Sequence, residues 1–120
     1  RSTPLYSSAA SDVYKRQGIY LTSHIETKET INNDFLDSYL ADCFKSAPFV
    51  RIQNNTKLSN VIGSNFCDIA VSFKDENHFV VEACLDNLVK GASGNAVECM
   101  NLIFDQDQAL GLNQMIPMYL

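Results

Sequence analysis

The sequence predicts an α+β fold: a mostly antiparallel mixed sheet covered by one helix, with a second helix towards the C-terminal end. Residues 66–73 and 78–85 both alternate apolar and polar side chains and are joined by a short polar link, which is typical of a β-hairpin. Residues 32–45 and 93–104 instead carry apolar side chains at helical spacing. The order strand, helix, strand, hairpin, helix favours a layered α+β domain.

The first two elements are a strand and the helix expected to cover the sheet. Residues 19–26 alternate, and three apolar side chains share one side: Ile19, Leu21 and Ile25. Residues 32–45 place their apolar side chains in one stripe: Phe35, Leu36, Tyr39, Leu40, Cys43 and Phe44. Asn32 suits the N-cap of this helix, and Pro48 prevents the helix from continuing.

A short strand at residues 49–52 and a polar connection at residues 53–59 precede the hairpin. One face of the hairpin carries Cys67, Ile69, Val71, Phe73, Phe79, Val81, Ala83 and Leu85. The opposite face also carries apolar side chains: Phe66, Ala70, Val80 and Cys84. With the helix covering one face, this opposite face needs a second cover, which a second subunit or a further domain would provide.

The last predicted helix, at residues 93–104, has two unlike sides. Its apolar side carries Ala96, Val97, Met100, Ile103 and Phe104. The opposite side carries Asn95, Glu98 and Asn101. The tail after residue 104 is less regular, so no element is predicted there.

Length and composition indicate one domain and exclude several classes of partner. The chain has 120 residues and a formal net charge of −5, and its nine Lys and Arg residues are scattered. This arrangement argues against non-specific nucleic-acid binding, which needs clustered cations. No apolar run approaches the roughly 18–20 residues of a membrane span, and the N-terminus lacks the apolar region of a signal peptide. We therefore expect neither nucleic acid nor membrane as a partner.

The four cysteines are Cys43, Cys67, Cys84 and Cys99. None lies in a Cys-x-x-Cys pair or near a group of histidines, so no metal site is predicted. Each lies within an apolar pattern, where a free thiol behaves as a small apolar side chain. A reduced compartment, the cytoplasm, is the simpler interpretation.

Residues 1–17 differ from the rest of the chain. They are rich in Ser and Ala and show neither helical nor strand periodicity. We interpret them as a non-native or disordered extension; a genuine flexible extension is the alternative. The domain is therefore expected to occupy residues 18–120.

Two motifs carry a family resemblance that runs from residue 18 to residue 120. Residues 63–69 read GSNFCDI and residues 86–96 read DNLVKGASGNA. Together they resemble the C-terminal part of N-acetyl-gamma-glutamyl-phosphate reductases, members of the semialdehyde dehydrogenase superfamily. The resemblance implies an incomplete glyceraldehyde-3-phosphate dehydrogenase-like C-terminal domain. That domain would be a partial substrate and dimerisation domain, with a final helix that returns towards a cofactor domain.

The connection after the hairpin is the first candidate site. Glycines and a helix start allow a ligand to approach the backbone, but a plain strand-to-helix connection would look the same. The resemblance implies that Asn87, Lys90 and Gly91 bind NADP. The amide of Asn87 has both a donor and an acceptor, which suits the carboxamide of nicotinamide. Asp86 is expected to order the turn.

The second candidate site consists of Ser64 and Asn65, which could face the substrate cleft. The alternative is a turn in which these side chains bond to nearby backbone. Cys67 alternates in phase with core residues and is rejected as a nucleophile. His24 and His78 fit no catalytic or metal spacing. No catalytic residue is assigned, because the resemblance implies that the nucleophilic Cys and the catalytic His precede this region.

The resemblance implies an enzyme that reduces N-acetyl-L-glutamyl 5-phosphate to N-acetyl-L-glutamate 5-semialdehyde with NADPH, in arginine biosynthesis. The full-length enzyme is expected to be a homo-oligomer, dimer or tetramer, whereas the chain alone is expected to be inactive. An aspartate-semialdehyde dehydrogenase is an alternative, against which the motif at residues 63–69 argues. A non-catalytic α+β oligomerisation module is the other alternative.

Overall fold

The computed structural model describes residues 18–113, which form a four-stranded mixed sheet, two α-helices and their connections. The strands are β1 (Gly18–Glu26), β2 (Val50–Ile52), β3 (Cys67–Phe73) and β4 (His78–Asp86). The helices are α1 (Asn33–Phe44) and α2 (Gly94–Ile103). This architecture confirms the predicted α+β fold class. The proposed extension at residues 1–17 and the last residues of the tail, 114–120, lie outside the described residues.

The strands lie in the order β1-β4-β3-β2. β3 and β4 form the predicted antiparallel hairpin, in which Asp68 lies opposite Cys84. β1 pairs antiparallel with β4 over its whole length, beginning with Gly18 opposite Asp86. β2 runs parallel to β3 at the far edge. Since β3 starts and β4 ends at the same end of the sheet, the two sequence motifs meet there.

The two faces of the sheet differ in how they are covered. One face, called the apolar sheet face below, carries Ile19, Leu21, Ile25, Ile69, Val71, Val81, Ala83 and Leu85. Leu21 on this face is 50% exposed. On the opposite face Cys84 is fully buried, and the connection between β2 and β3 covers it, with the Thr56 hydroxyl 2.7 Å from that of Tyr20. The further cover was expected on the face of Cys84; within residues 18–113 it is instead the apolar sheet face that stays exposed, because the connection between β2 and β3 already covers the other.

Helix α1 begins as the sequence indicates but buries little of its apolar stripe. The Asn32 side chain accepts a hydrogen bond of 2.8 Å from the Phe35 backbone N–H, which caps the helix. Leu36 is the buried residue of α1. Phe35 and Tyr39 stack with ring centroids 6.1 Å apart, and both remain exposed. The stripe is therefore available to a further partner.

Helix α2 buries two of the three residues on the side that the sequence marks as polar, and Asn95 on that side is exposed. Glu98 and Asn101 are buried at 7% and 3% exposure, whereas Ile103 is 77% exposed and Phe104 is 68% exposed. The Asn101 amide donates to the carbonyl oxygens of Gln108 and Leu110, at 3.2 and 2.9 Å. These bonds bring the chain after α2 back along the helix and cover its polar side. On its apolar side, Val97 packs against the rest of the domain, whereas Met100, Ile103 and Phe104 are exposed.

A small core lies at the sheet end where the motifs meet. Phe49, Ala109 and Leu112 are buried together, with Phe66 and Val97 packed against them. The rings of Phe49 and Phe66 meet edge to face with centroids 5.8 Å apart, a favourable aromatic geometry. This cluster connects α2 and the following turn to the start of β3. It therefore packs against both sequence motifs.

At the opposite end of the sheet, the turn between β3 and β4 carries an ionic cluster. Asp75 accepts hydrogen bonds from the backbone N–H groups of Asn77 and His78, each 3.0 Å long, and lies 2.7 Å from His78 Nδ1. Glu26 lies 3.5 Å from His78 Nε2. The hydrogen bond to Asp75 raises the pKa of His78 above its usual value. The Asn77 N–H and the His78 ring together lower the pKa of Asp75.

This cluster predicts that Asp75→Asn lowers the pKa of His78 towards the usual value of about 6.5. Because the pKa of His78 is raised in the folded chain, protonated His78 stabilises the turn fully below about pH 6.5, and that contribution disappears as pH rises through the folded pKa. An NMR titration of the His78 ring measures the shift. Asp42→Asn, which removes an exposed carboxylate on α1, is the control. An unchanged His78 titration in Asp75→Asn would show that the pair does not form in solution.

Candidate functional site

The candidate site is the junction between residues 63–66 and the segment that connects β4 to α2. That segment is not a loose loop, because Val89–Ser93 forms one π-helical turn that leads directly into α2. The Ser93 backbone N–H donates to the Leu88 carbonyl at 3.1 Å, which closes this turn. Single π-helical turns recur at functional sites, and this one was not expected from the sequence.

Asp86 joins the two motifs through backbone hydrogen bonds. Its Oδ1 accepts from the N–H groups of Leu88 and Val89, at 2.7 and 2.8 Å. Its Oδ2 accepts from the Gly63 N–H at 2.8 Å. The carboxylate is buried, with 6% of the residue exposed. Asp86 therefore orders the turn after β4, as the sequence indicated, and also ties that turn to the first motif.

Two glycines are required by the geometry of the junction. Gly63 has φ +77°, a left-handed conformation that side chains other than glycine rarely adopt. Gly94 starts α2 in close contact with its surroundings. A Cβ added there would collide with Asn65 Oδ1 and lie 2.9 Å from both Val89 Cγ1 and the Val89 carbonyl oxygen. The start of α2 can therefore approach the first motif this closely only without a side chain.

A buried carboxylate, Glu98 of α2, receives three side-chain donors at the junction. The Lys90 ammonium donates to Oε2 at 2.5 Å, and the Asn65 amide donates to the same oxygen at 3.0 Å. The Gln108 amide donates to Oε1 at 2.5 Å. Burial opposes ionisation of Glu98, but these hydrogen bonds outweigh it, so the pKa of Glu98 is lowered. Glu98 is therefore ionised at neutral pH and paired with Lys90.

The structure places the predicted cofactor residues in different surroundings. Asn87 and Gly91 are exposed at the surface of the junction. A Cβ at Gly91 would lie 3.1 Å from Asn87 Oδ1, so the glycine leaves room for that amide. The Lys90 side chain is only 16% exposed and lies with its ammonium 5.5 Å from the Phe49 ring centroid. Contact with NADP stays a prediction for all three residues.

The predicted substrate-side residues are both buried in this structure. Ser64 is 0% exposed, and its hydroxyl donates to the Val61 carbonyl oxygen at 2.7 Å and accepts from the Phe66 N–H at 3.3 Å. Asn65 is 1% exposed and donates to Glu98. The Ser64 contacts are those of a local turn, whereas Asn65 bonds to a side chain 33 positions away instead of to nearby backbone. Contact with substrate stays a prediction for both residues.

Cys67 is half-buried at the start of β3. Burial raises the pKa of its thiol; the neighbouring charge of Lys90 opposes the effect, and Asp68 adds to it. The thiol is therefore protonated at neutral pH, which is unfavourable for a nucleophile. Next to it, Asp68 is 1% exposed and accepts from Arg51 Nε at 2.6 Å across the parallel strand pair. The geometry is consistent with rejecting Cys67 as a catalytic residue.

Sequence reasoning missed Glu98 and Gln108. Glu98 was placed on the polar side of the last helix, where a carboxylate is usually solvated, and Gln108 lay in a tail without an assigned element. The signal that could have revealed them is the presence of Lys90 and Asn65 in the two motifs, since buried donors require an acceptor.

Among residues 18–113, no group of three or more His, Cys, Asp or Glu side chains is arranged to hold a metal ion. Neither helix in that range is long and apolar enough to cross a membrane.

Comparison with known families identifies the domain. Residues 10–87 match the model of the semialdehyde dehydrogenase dimerisation domain. The chain belongs to this family. A four-stranded mixed sheet with a C-terminal helix fits the glyceraldehyde-3-phosphate dehydrogenase-like C-terminal domain expected of semialdehyde dehydrogenases. The match starts at residue 10, inside the segment interpreted as an extension, and that interpretation stays a prediction.

Several relatives of this semialdehyde dehydrogenase domain carry the name N-acetyl-gamma-glutamyl-phosphate reductase. The protein of that name from Methanosarcina barkeri is 44% identical over 98 residues, and the one from Methanocella arvoryzae is 43% identical over 97 residues. Each alignment covers 80% of this chain and 29% of the relative. The Streptococcus mutans protein is 40% identical over 106 residues, covering 87% of the chain and 31% of the relative. The predicted resemblance to the C-terminal part of these reductases is confirmed, and the chain spans less than a third of their length.

Proposed function

We propose that this domain is the C-terminal part of a cytoplasmic, NADP-dependent N-acetyl-gamma-glutamyl-phosphate reductase. The full-length protein would reduce N-acetyl-L-glutamyl 5-phosphate to N-acetyl-L-glutamate 5-semialdehyde in arginine biosynthesis. The observation that carries the proposal is the 40–44% identity to proteins of that name over 80–87% of the chain. The nucleophilic Cys and the catalytic His belong to the part of the enzyme that precedes residue 18.

The junction fits the role of holding the nicotinamide end of NADP. Asn87 is exposed, and its amide offers a donor and an acceptor in the arrangement that a carboxamide requires. Gly91 leaves the space beside this amide open, since a side chain there would press on Asn87 Oδ1. NADPH, when bound, supplies the hydride for the reduction. Asn87 would orient the nicotinamide ring, and orientation contributes to rate as well as to binding.

Two apolar surfaces support a role within a larger assembly. The apolar sheet face leaves Ile19 45% exposed and Leu21 50% exposed, which suits burial against a second copy of the domain in a homo-oligomer. The apolar side of α2 leaves Ile103 and Phe104 largely exposed, which suits packing against the cofactor domain. The family description, a dimerisation domain, supports self-association.

Replacement of Asn87 by Ala in the full-length protein tests the proposed site. We expect Asn87→Ala to lower kcat/KM for NADPH by an amount equivalent to about 1–3 kcal/mol, because hydrogen bonds that position the hydride donor are lost. NADPH oxidation with N-acetyl-L-glutamyl 5-phosphate gives the rate. Thermal unfolding should change little, since the Asn87 side chain is exposed.

Asn95→Ala is the matched control, because Asn95 is also exposed but lies one residue inside α2. It should leave the kinetics unchanged. Normal kinetics in Asn87→Ala combined with lower stability would show that Asn87 is only a turn residue. If the unaltered protein reduces aspartyl phosphate instead, or reduces neither substrate, the proposed function is wrong.

A further inference from the structure

Glu98 collects its three donors from three separate parts of the chain. Asn65 belongs to the first motif and lies 33 positions away, Lys90 lies 8 positions before Glu98 in the π-helical turn, and Gln108 lies 10 positions after it. The residue is 7% exposed, so water cannot replace these partners freely. Loss of this one carboxylate would therefore release three segments at once.

Lys90 is turned towards Glu98 rather than towards the surface that carries Asn87. Its ammonium contacts the carboxylate and the face of Phe49, and its side chain is 16% exposed. A buried carboxylate without a nearby cation is strongly unfavourable. The charge of Lys90 is therefore matched within the domain by that of Glu98.

Hydrogen bonds fix the segment around Asn87 on both sides of that residue. Before the π-helical turn, Asp86 accepts hydrogen bonds from the Leu88 and Val89 N–H groups. Within the turn, Glu98 holds the Lys90 side chain. Asn87 itself lies between these two attachments and remains exposed. Such an arrangement fixes the backbone while leaving one amide free for a ligand.

We infer that Glu98 is a positioning residue for the cofactor contact: through Lys90 and Asn65 it holds the π-helical turn so that Asn87 meets the nicotinamide in a fixed orientation. Lys90 is then the counter-ion of Glu98 and not itself a contact to NADP. This inference rests on the proposed function, because it assigns Asn87 to the nicotinamide.

The first measurement is hydrogen exchange in the full-length protein, without substrate or cofactor. Glu98→Gln keeps the shape of the side chain and removes the charge, and Glu98→Ala removes all three acceptor contacts. We expect amide exchange in residues 87–93 to rise about tenfold in Glu98→Gln and further in Glu98→Ala, while exchange in β3 and β4 stays unchanged. Asp42→Asn is the matched control, since it breaks an exposed carboxylate–lysine pair on α1. Unchanged exchange in residues 87–93 would overturn the inference.

The second measurement is a double-mutant cycle on NADPH kinetics. Glu98→Gln alone should lower kcat/KM for NADPH about tenfold, with loss in kcat as well as in KM because orientation is affected. In the Asn87→Ala background the same change should cost less than about twofold, since the group that Glu98 positions is already absent. An equal loss in both backgrounds, or no loss in either, would contradict a role through Asn87.

The two measurements also separate this inference from the proposed function. If the unaltered protein does not oxidise NADPH, the proposed function fails, and with it the nicotinamide role. The exchange measurement still decides whether Glu98 fixes the turn, because it requires no activity. If NADPH oxidation is normal but Glu98→Gln behaves as the control in both measurements, the proposed function stands and the positioning role is wrong.

Discussion

Asp86→Ala is expected to destabilise the chain by about 3–4 kcal/mol, because hydrogen bonds to a charged acceptor contribute roughly 1.5–3 kcal/mol each and are not additive. The carboxylate accepts three backbone N–H groups, from Gly63, Leu88 and Val89. It is buried, so its removal leaves these donors with limited access to water. Chemical denaturation followed by circular dichroism gives the free energy of unfolding.

Two further variants test whether the loss of stability depends on the number of hydrogen bonds removed. Asp86→Asn keeps one acceptor oxygen and should fall between the wild type and Asp86→Ala. Asp107→Ala removes a carboxylate that accepts a single backbone bond of 2.9 Å from Ala109 at an exposed turn, so it should cost about 1 kcal/mol or less. If Asp86→Ala is no more damaging than Asp107→Ala, the two motifs are not joined by this carboxylate.

Gly94→Ala is expected to cost about 3 kcal/mol, at the upper end of the usual range for an added methyl group in a tightly packed site. The new Cβ would meet Asn65 Oδ1 and two atoms of Val89. Asn65 cannot move aside freely, since it is 1% exposed and held by Glu98. In an ordinary helix the change from Gly to Ala would be stabilising. A loss of stability in Gly94→Ala would therefore show that the start of α2 packs closely against the first motif.

Gly91→Ala is the comparison for this change. Its new Cβ would lie 3.1 Å from the side-chain oxygen of Asn87, which is exposed and free to rotate. We expect a loss of stability below about 1 kcal/mol, because a flexible neighbour can yield. Thermal unfolding of both variants under the same conditions gives the difference. Equal stability of Gly94→Ala and the wild type would mean that α2 does not pack against the first motif as described.

Local patterns in the sequence were sufficient for most of the fold. The strands and the hairpin follow from alternation, which depends only on neighbouring residues. Asn32 caps α1 as expected, since an N-cap acts within one helical turn. Asp86 orders the turn after β4, again through contacts two and three positions along the chain. Family membership was also readable from the two motifs, as the match to the dimerisation domain confirms.

The candidate site was less predictable because its contacts join distant positions. Ser64 and Asn65 were candidates for an open cleft, but in the structure they lie buried against Val61 and Glu98. The π-helical turn at Val89–Ser93 has no sequence signature that distinguishes it from the first turn of α2. Its conformation depends on Asp86 before it and on Glu98 after it.

What the sequence by itself determined is therefore the strands and α-helices, their order, the polar and apolar sides of each helix and the family. Tertiary structure alone decided which side of α2 is buried within the domain. Periodicity places Glu98 and Asn101 opposite Met100 and Ile103. The polar side needs hydrogen-bonding groups and the apolar side needs apolar surface, but periodicity does not say which part of the protein supplies either. Within residues 18–113 Glu98 and Asn101 are buried, because the Asn65 and Lys90 side chains and the turn after α2 satisfy their hydrogen bonds. On the apolar side only Val97 packs within the domain, while Met100 and Ile103 remain exposed, because apolar contacts have no required direction and can be supplied by another domain or subunit.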